Sequence, residues 1–220
     1  SLLIPALLLP ALATAPAREL QAPAGAATTA SATSATALIA ALGRPAPART
    51  AFAEARFLRM LDRPLVVSGE LAWLGGDRLE REVRAPRAER YSIADGKVTQ
   101  QRPGQAPRQF ALGRAPQLQV LLDSFVALLS GDGERLQQAF AVHASGEASA
   151  AWRLSLTPRD ANVARSLPGI LIHGPAGEAH CMQVREADGD LSIDLLGALA
   201  ADMPTQPTVE TLQALCDGAR

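Results

Sequence analysis

Few residues in this sequence have types and spacings that could support chemistry, and one such pair is Arg159 and Asp160. The pair follows the alternating stretch WRLSL, a pattern typical of a half-buried strand. A structural role also explains the junction, because Thr157 is a favourable N-cap and Pro158 suits the first helical position. Asp160 would then accept hydrogen bonds from free amides of the first turn. We therefore predict a short helix that starts at Thr157 and ends before Pro168, with no catalytic role for the pair.

The remaining motifs and the charge argue against two classes of function. The sequence contains no G-x-S-x-G, H-E-x-x-H or phosphate-loop motif, and its three histidines are scattered over predicted strands. The net charge of −1 offers no general attraction to nucleic acid. We predict neither an enzyme nor a nucleic-acid-binding protein.

The first residues, SLLIPALLLPALATAPA, have the composition of a secretory signal. An apolar run is followed by small residues with A-x-A spacing, which places cleavage after Ala13 or Ala17. The two prolines inside the apolar run, Pro5 and Pro10, and its short length argue against a membrane span. We predict a signal peptide over 1–17, a flexible Ala/Ser/Thr-rich segment over 18–35, and one domain over 36–220 in the periplasm.

The two cysteines of the chain, Cys181 and Cys216, are expected to form a disulfide if the protein is exported. The bond would tie the C-terminal tail to a strand near residue 181, and a loop of that length is worth about 3–4 kcal/mol. The alternative is a metal site made by Cys181 with His173 and His180, which lacks a fourth ligand and a recognised spacing. We expect no metal and no cofactor.

The elements that position these residues are mainly strands. LVVSGELAWL (65–74) and RLEREVRA (78–85) alternate apolar and polar residues, and Asp95-Gly96 and Asp188-Gly189 are typical hairpin turns. Further strands are expected over 137–147, in WRLSL, and over 169–174. One face of the first strand carries Val67, Gly69, Leu71 and Trp73. One face of the second strand carries Leu79, Arg81 and Val83.

Three helices are predicted, including the short one that starts at Thr157. A second covers 35–42 and ends at Gly43, and the third is APQLQVLLDSFVALLSG, which ends at Gly131. This long helix has a continuous apolar stripe made of Leu118, Leu121, Leu122, Phe125, Leu128 and Leu129. The segment TAFAEARFLRML (50–61) fits either a helix or a strand.

The order of these elements resembles the LolA family of periplasmic lipoprotein carriers over about 36–197. The residues that carry the resemblance are F-x-E-x-R (52–56), P-L-x-x-S-G-x-L (64–71), D-R-L-E-R (77–81) and A-D-G (94–96). Later in the chain they are L-L-S-G-D, W-R-L-S-L-T-P-R-D, I-L-I-H-G and A-D-G-D-L-S. The resemblance favours a strand in TAFAEARFLRML. It implies the fold class α+β, with a curved antiparallel sheet that forms an unclosed β-barrel and about three helices that cover its hollow.

The resemblance also implies a function without catalysis. Such a carrier binds the acyl chains of a lipoprotein or another lipid in an apolar hollow and moves them towards the outer membrane. Its partners would be an inner-membrane exporter and an outer-membrane acceptor. The alternatives are an accessory lipid-binding protein of a glycolipid or aryl-polyene pathway, and a sensing module that uses the same fold without transport.

The candidate lipid-binding residues are the apolar faces of two strands and of the long helix, namely Leu71, Trp73, Leu79, Val83, Leu118, Leu121, Leu122, Phe125 and Leu129. Arg78 and Arg81 are candidate contacts for a polar head group. Arg81 shares a face with Leu79 and Val83, so it could meet a head group inside the hollow. Alternatively, that face is the outer one and Arg81 pairs with a carboxylate across strands.

Overall fold

The computed structural model describes residues 35–114 and 116–218. The predicted signal peptide and the predicted flexible segment up to residue 34 lie outside the described residues. Ala35, which the sequence assigned to the end of that segment, is already helical and fully buried.

Eleven antiparallel strands form a single sheet. The strands are β1 Ala48–Phe57, β2 Leu65–Gly75, β3 Arg78–Ala85, β4 Glu89–Ala94, β5 Lys97–Gln101, β6 Arg108–Ala111, β7 Phe140–Gly146, β8 Ala151–Pro158, β9 Gly169–Pro175, β10 Cys181–Arg185 and β11 Leu191–Leu196. Their order is β6-β5-β4-β3-β2-β1-β11-β10-β9-β8-β7. Because β6 and β7 are the two edges and do not pair, the sheet is not closed into a barrel. The predicted fold class is confirmed, and the ambiguous segment 50–61 contributes to strand β1.

The hairpin turns lie where the sequence predicts them. Asp95 and Gly96 connect β4 to β5 with φ of 50° and 67°. A two-residue hairpin turn needs positive φ at both central positions, which Asp-Gly adopts at low cost. Gly189, with φ of 93°, similarly allows the turn between β10 and β11.

The described helices are more numerous than predicted. They are α1 (35–42), α2 Pro116–Ser130, α3 Gly133–Ala139, α4 Ala161–Ala164 and α5 Val209–Cys216, with 3-10 segments at Leu112–Arg114 and Gly197–Asp202. The predicted ends of α1 and α2 are confirmed. The sequence missed α5, and it assigned the last residues of α3 to a strand. Asp132 is the N-cap of α3 and accepts a hydrogen bond from the Arg135 amide, so the glycines around it separate two helices.

The predicted helix start at Thr157 is wrong. Strand β8 continues through Pro158, with Thr157 paired opposite Ala141 of β7. The N-cap is Asp160, whose side chain accepts from the amides of Asn162 and Val163. A proline without an amide hydrogen is tolerated at the end of a strand as well as at the start of a helix, so the sequence pattern fits both registers.

The sheet has two different faces. We call inner face the face onto which α1, α2 and α3 pack. On β8 this face carries Trp152, Leu154 and Leu156, which alternate with exposed residues. These strand residues form one hydrophobic cluster with residues of the three helices, namely Leu38, Ile39, Leu42, Ala127 and Leu136.

The outer face is covered only in part. Helix α5 and the segment Gly197–Asp202 pack against β1, β10 and β11, where Ala55, Ile193 and Leu195 are fully buried with Leu212 of α5. Further along, the outer face of β1–β4 carries an ion-pair network of Arg49, Glu70, Arg84, Glu82 and Arg90. Such exposed pairs add little stability, and they indicate that this part of the outer face is solvated.

Candidate lipid-binding site

The strand residues predicted to bind lipid lie together on the inner face. Trp73 of β2 pairs opposite Leu79 of β3, and Val83 pairs opposite Gly69. Trp73 and Val83 are buried, whereas Leu71 and Leu79 are only partly buried. The alternating pattern therefore predicted the composition of this face.

The hydrophobic cluster on this part of the inner face contains no helix residue among the described residues. The cluster contains Phe52, Val83 and Leu196, and around them lie Val67, Leu71, Ala179 and Met182, none of which belongs to a helix. The helices cover β7–β10 instead. The apolar cluster on the inner face of β1–β3 is thus separate from the cluster that the helices share.

Helix α2 presents two apolar faces. Ala127, with Val120, Leu121 and Leu128, packs into the core cluster that α1 and α3 share. A second stripe at i, i+4, i+7 and i+11 consists of Leu118, Leu122, Phe125 and Leu129. These four side chains are partly buried and belong to none of the hydrophobic clusters of the described residues. The predicted six-residue stripe is therefore divided: Leu121 and Leu128 pack against the core cluster, and the other four residues lie outside the clusters.

The connectivity of the chain carries α2 across the open side of the sheet. Strand β6 is one edge of the sheet and β7 is the other. The chain reaches β7 from β6 through the segment Leu112–Arg114, α2 and α3. Since α2 also packs on the inner face through Ala127, it bridges the gap between the two edges on that side.

The two arginines proposed as head-group contacts have different positions. Arg78 is exposed at the turn between β2 and β3, where it donates to the carbonyls of Leu74 and Gly75. Its role there is to hold the turn. Arg81 lies on the inner face, opposite Leu71, and its guanidinium forms an ion pair with Glu54 of β1.

The environment of Arg81 combines features of both sequence-based alternatives. It pairs with a carboxylate across strands, but it does so on the inner face, 4.6 Å above the centroid of the Phe52 ring. A guanidinium over an aromatic ring gains a favourable cation–π interaction. The ring and the ion pair together fix where this cation lies among apolar neighbours.

A buried carboxyl group next to this ion pair was missed from the sequence. Asp194 of β11 lies opposite Glu54 in the strand register and is only 7 % exposed. Burial, and then the negative charge of Glu54, raise the pKa of Asp194 well above its ordinary value, although Arg81 and Arg56 act against this. An aspartate inside the apolar strand LSIDLL was the available sequence signal.

The family is decided by a comparison with protein-family models. Residues 26–219 match the model described as "Outer membrane lipoprotein carrier protein LolA-like". The chain belongs to the LolA-like family. Carriers of this family are in general not enzymes. A search of curated proteins finds no match.

Several solved structures are similar to the LolA-like chain at low identity. A LolA superfamily protein from Nitrosomonas europaea is 12% identical, with 79% of this chain and 95% of that chain covered and a TM-score of 0.41. LprF from Mycobacterium bovis is 13% identical, with 84% and 98% covered and a TM-score of 0.37. The MucA/MucB complex from Pseudomonas aeruginosa is 16% identical, with 84% and 61% covered and a TM-score of 0.35.

A second polar group of the LolA-like chain lies towards the β6 edge. Gln100 donates to the Glu89 carboxylate and, at 3.0 Å, to the Tyr91 hydroxyl, and Arg102 also pairs with Glu89. Burial alone would raise the pKa of Glu89, but hydrogen bonds from Tyr91, Arg102 and Gln100 lower it below its ordinary value. This network is internally satisfied and offers no free buried donor.

The possible metal ligands that lie together in the LolA-like chain differ from the set considered from the sequence. His173, Cys181 and Cys216 have ligand atoms within 4.8 Å of one another, and His180 is not part of the group. The two sulfur atoms are bonded to each other in a disulfide, so they are not thiolates that could bind a metal.

Among the described helices of the LolA-like chain, none has the length and apolar character needed to cross a membrane.

Proposed function

We propose that this chain is a periplasmic carrier that binds the acyl chains of a lipoprotein or another lipid and moves them towards the outer membrane. The chains would lie between the inner face of β1–β3 and the α2 stripe of Leu118, Leu122, Phe125 and Leu129. Membership of the LolA-like family supports the class of ligand.

One observation supports the location above all others. The four residues of the α2 stripe are only partly buried, as are Val67, Leu71 and Leu79 on the inner face, and the hydrophobic cluster on that part of the sheet contains no helix residue among the described residues. Apolar surfaces of this kind normally find a partner, because exposed contiguous patches promote association. An acyl chain would cover both surfaces at once.

The energy available from burial is sufficient for a carrier without any reactive group. Burying each methylene of an acyl chain is worth about 0.8 kcal/mol, so one long chain supplies about 10 kcal/mol before the costs of binding. A surface lined by leucine, valine and alanine is adaptable to chains of different lengths. Transfer to a next carrier or membrane then requires only that the competing site offers similar burial.

The leader-like sequence and the cysteines support the proposed periplasmic location. An apolar run with A-x-A spacing is typical of exported proteins. A disulfide between Cys181 and Cys216 is stable in an oxidising compartment. The family is described as carriers of outer membrane lipoproteins, which supports transport towards the outer membrane.

The test is to identify lipid bound to the protein. The chain is purified from periplasmic extract without detergent, and its organic extract is analysed by mass spectrometry beside that of an unrelated periplasmic protein prepared in the same way. We expect acyl lipid in the first extract only, and saturable binding of a fluorescent fatty acid after the lipid is removed. Absence of both acyl lipid and probe binding would refute the proposal.

A further inference from the structure

The inner face contains one polar group of residues inside its apolar surface. Glu54 of β1 and Asp194 of β11 are direct cross-strand neighbours. The next residues along the same row are apolar, with Val67 of β2 beyond Glu54 and Met182 of β10 beyond Asp194. The two carboxyl groups therefore lie in the middle of the face that the proposed function assigns to acyl chains.

Asp194 is buried beside charged groups. It is 7 % exposed, and the charges that act on it are those of Glu54, Arg81 and Arg56. Moving a carboxylate out of water costs free energy, which favours its protonated form. Because its charged form is disfavoured, the carboxyl keeps its proton to a higher pH than an ordinary aspartate and can donate that O–H.

The neighbouring arginines also have donors left over. Arg81 pairs with Glu54 through one terminal nitrogen. The Nε atom of Arg56 lies 3.6 Å from the Glu54 carboxylate, and a terminal nitrogen of Arg56 lies 3.7 Å from that of Glu186. The Nε atom is buried and has no hydrogen-bond partner among the described residues. A guanidinium has five N–H donors and no acceptor, so this group of residues is rich in unused donors.

The ion pairs of the group leave these donors free. Arg81 pairs with Glu54, and Arg56 lies 3.6 Å from Glu54 and 3.7 Å from Glu186, distances too long for hydrogen bonds. A bound group with a negative charge would lie against both guanidinium groups. Oxygen atoms of that group would accept from the free donors, and charge-assisted hydrogen bonds of this kind are the stronger ones.

We propose that Arg56, Arg81 and Asp194, with Glu54 holding the arginines in place, form an anchor for the negatively charged polar end of a bound acyl chain. The proposal rests on the proposed function, because it assumes that acyl chains lie on the inner face. The shared chemistry is a monoanionic oxygen acid, which is either the carboxylate of a free fatty acid or the phosphodiester of a lipid head group.

The experiment compares two matched pairs of ligands below their micelle concentrations. Palmitic acid is compared with its methyl ester, and a lysophosphatidylglycerol with a monoacylglycerol of the same chain length, which lacks the phosphodiester. We expect the anionic member to bind about tenfold more tightly in at least one pair, since one charge-assisted hydrogen bond is worth that factor. Preference in the first pair identifies a free fatty acid, and preference in the second identifies a phosphodiester head group.

Variants link the preference to these residues. Arg56→Gln should reduce the preference to within about twofold while the neutral member still binds, because only the charge-assisted contact is lost. Arg84→Gln, on the solvated outer face, removes the same charge and should leave the preference unchanged. Thermal melts of both variants establish that the fold is retained.

A pH profile adds a readout that a purely structural role would not change. The charged groups that face Asp194 are Glu54 and Arg56 on β1 and Arg81 on β3, and its neighbour on β10 is Met182. The preference for lysophosphatidylglycerol should fall as pH rises and Asp194 ionises, and Asp194→Asn should abolish that fall. Equal binding of both members of both pairs, or a preference that Arg56→Gln leaves intact, would overturn the anchor without affecting the carrier. Failure of all four ligands to bind would overturn the proposed function itself.

Discussion

Cys181, the first residue of β10, is joined by a disulfide to Cys216, the last residue of α5, with 5.7 Å between their Cα atoms. Cys181 is fully buried in the outer-face cluster, and Leu212 of α5 is fully buried in the same cluster. The bond thus fixes α5 over the strands of the central sheet, on the face opposite to the α2 stripe.

The disulfide predicts that the unfolded, unreduced protein has no free thiol. The bond spans 35 residues, so in the chain-entropy description it stabilises the fold by about 4 kcal/mol. The double variant Cys181→Ala/Cys216→Ala should lose stability of that order in urea unfolding. Two thiols per chain in a titration of the unreduced protein would contradict the bond.

The corrected start of α4 makes a testable distinction between Asp160 and Thr157. Asp160→Ala removes the cap that satisfies two amides of α4, and such losses cost about 1 kcal/mol. Thr157→Ala changes an exposed residue of β8 and should cost less. Urea unfolding of both variants measures the difference. A larger loss of stability for Thr157→Ala than for Asp160→Ala would support a helix start at Thr157.

Much of the sheet could be predicted, because its determinants are local. The Asp-Gly pairs fix two turns, and the alternation in β2 and β3 assigns Trp73 and Leu79 to the inner face. Helix α3 was missed because its last residues continue into β7 without a breaking residue, so one apolar pattern covers two elements.

The polar group on the inner face could not be predicted by such local rules. Glu54 and Asp194 meet only because β1 and β11, the first and last strands along the chain, pair with each other, which places residues of distant sequence opposite each other. Periodicity specifies the face of a residue along its own strand, but it does not specify the partner strand or the register. The pairing of Arg81 with Glu54, two strands away, has the same origin.

Asp194 predicts a pH-dependent stability of defined sign. Its pKa is raised in the folded state above the ordinary value of 3.8, so the folded state holds this proton more tightly than the unfolded chain does. The stability from this group is complete below the ordinary pKa and is lost as pH rises through the folded-state pKa. Asp194→Asn removes this titration. As pH rises over this range, the free energy of unfolding of the variant should therefore increase relative to that of wild type, by up to about 1.4 kcal/mol per pH unit. Urea unfolding at a series of pH values measures it, and a constant difference between the two proteins would refute the assignment.

The two tryptophans allow the position of the ligand to be tested. Trp73 lies on the inner face beside Leu79, whereas Trp152, 3 % exposed, lies in the cluster that the helices cover. A brominated fatty acid should therefore quench the fluorescence of Trp73, measured in Trp152→Phe, more strongly than that of Trp152, measured in Trp73→Phe. Stronger quenching of Trp152 would place the acyl chain elsewhere.

The central claim is that an acyl chain binds against the α2 stripe, and a matched pair of charges on this helix tests it most directly. Leu122→Lys places an ammonium group in the middle of the stripe, where a bound chain would desolvate it at a cost of several kcal/mol. Gln119→Lys introduces the same charge off the stripe, four residues before Asp123, where an i,i+4 pair is tolerated. The measurement is titration of a delipidated protein with a fluorescent fatty acid, with thermal melts alongside. We predict that Leu122→Lys binds at least about tenfold more weakly than wild type, a factor that corresponds to 1.4 kcal/mol, and that Gln119→Lys binds as wild type does. Equal affinities in all three proteins would contradict the claim.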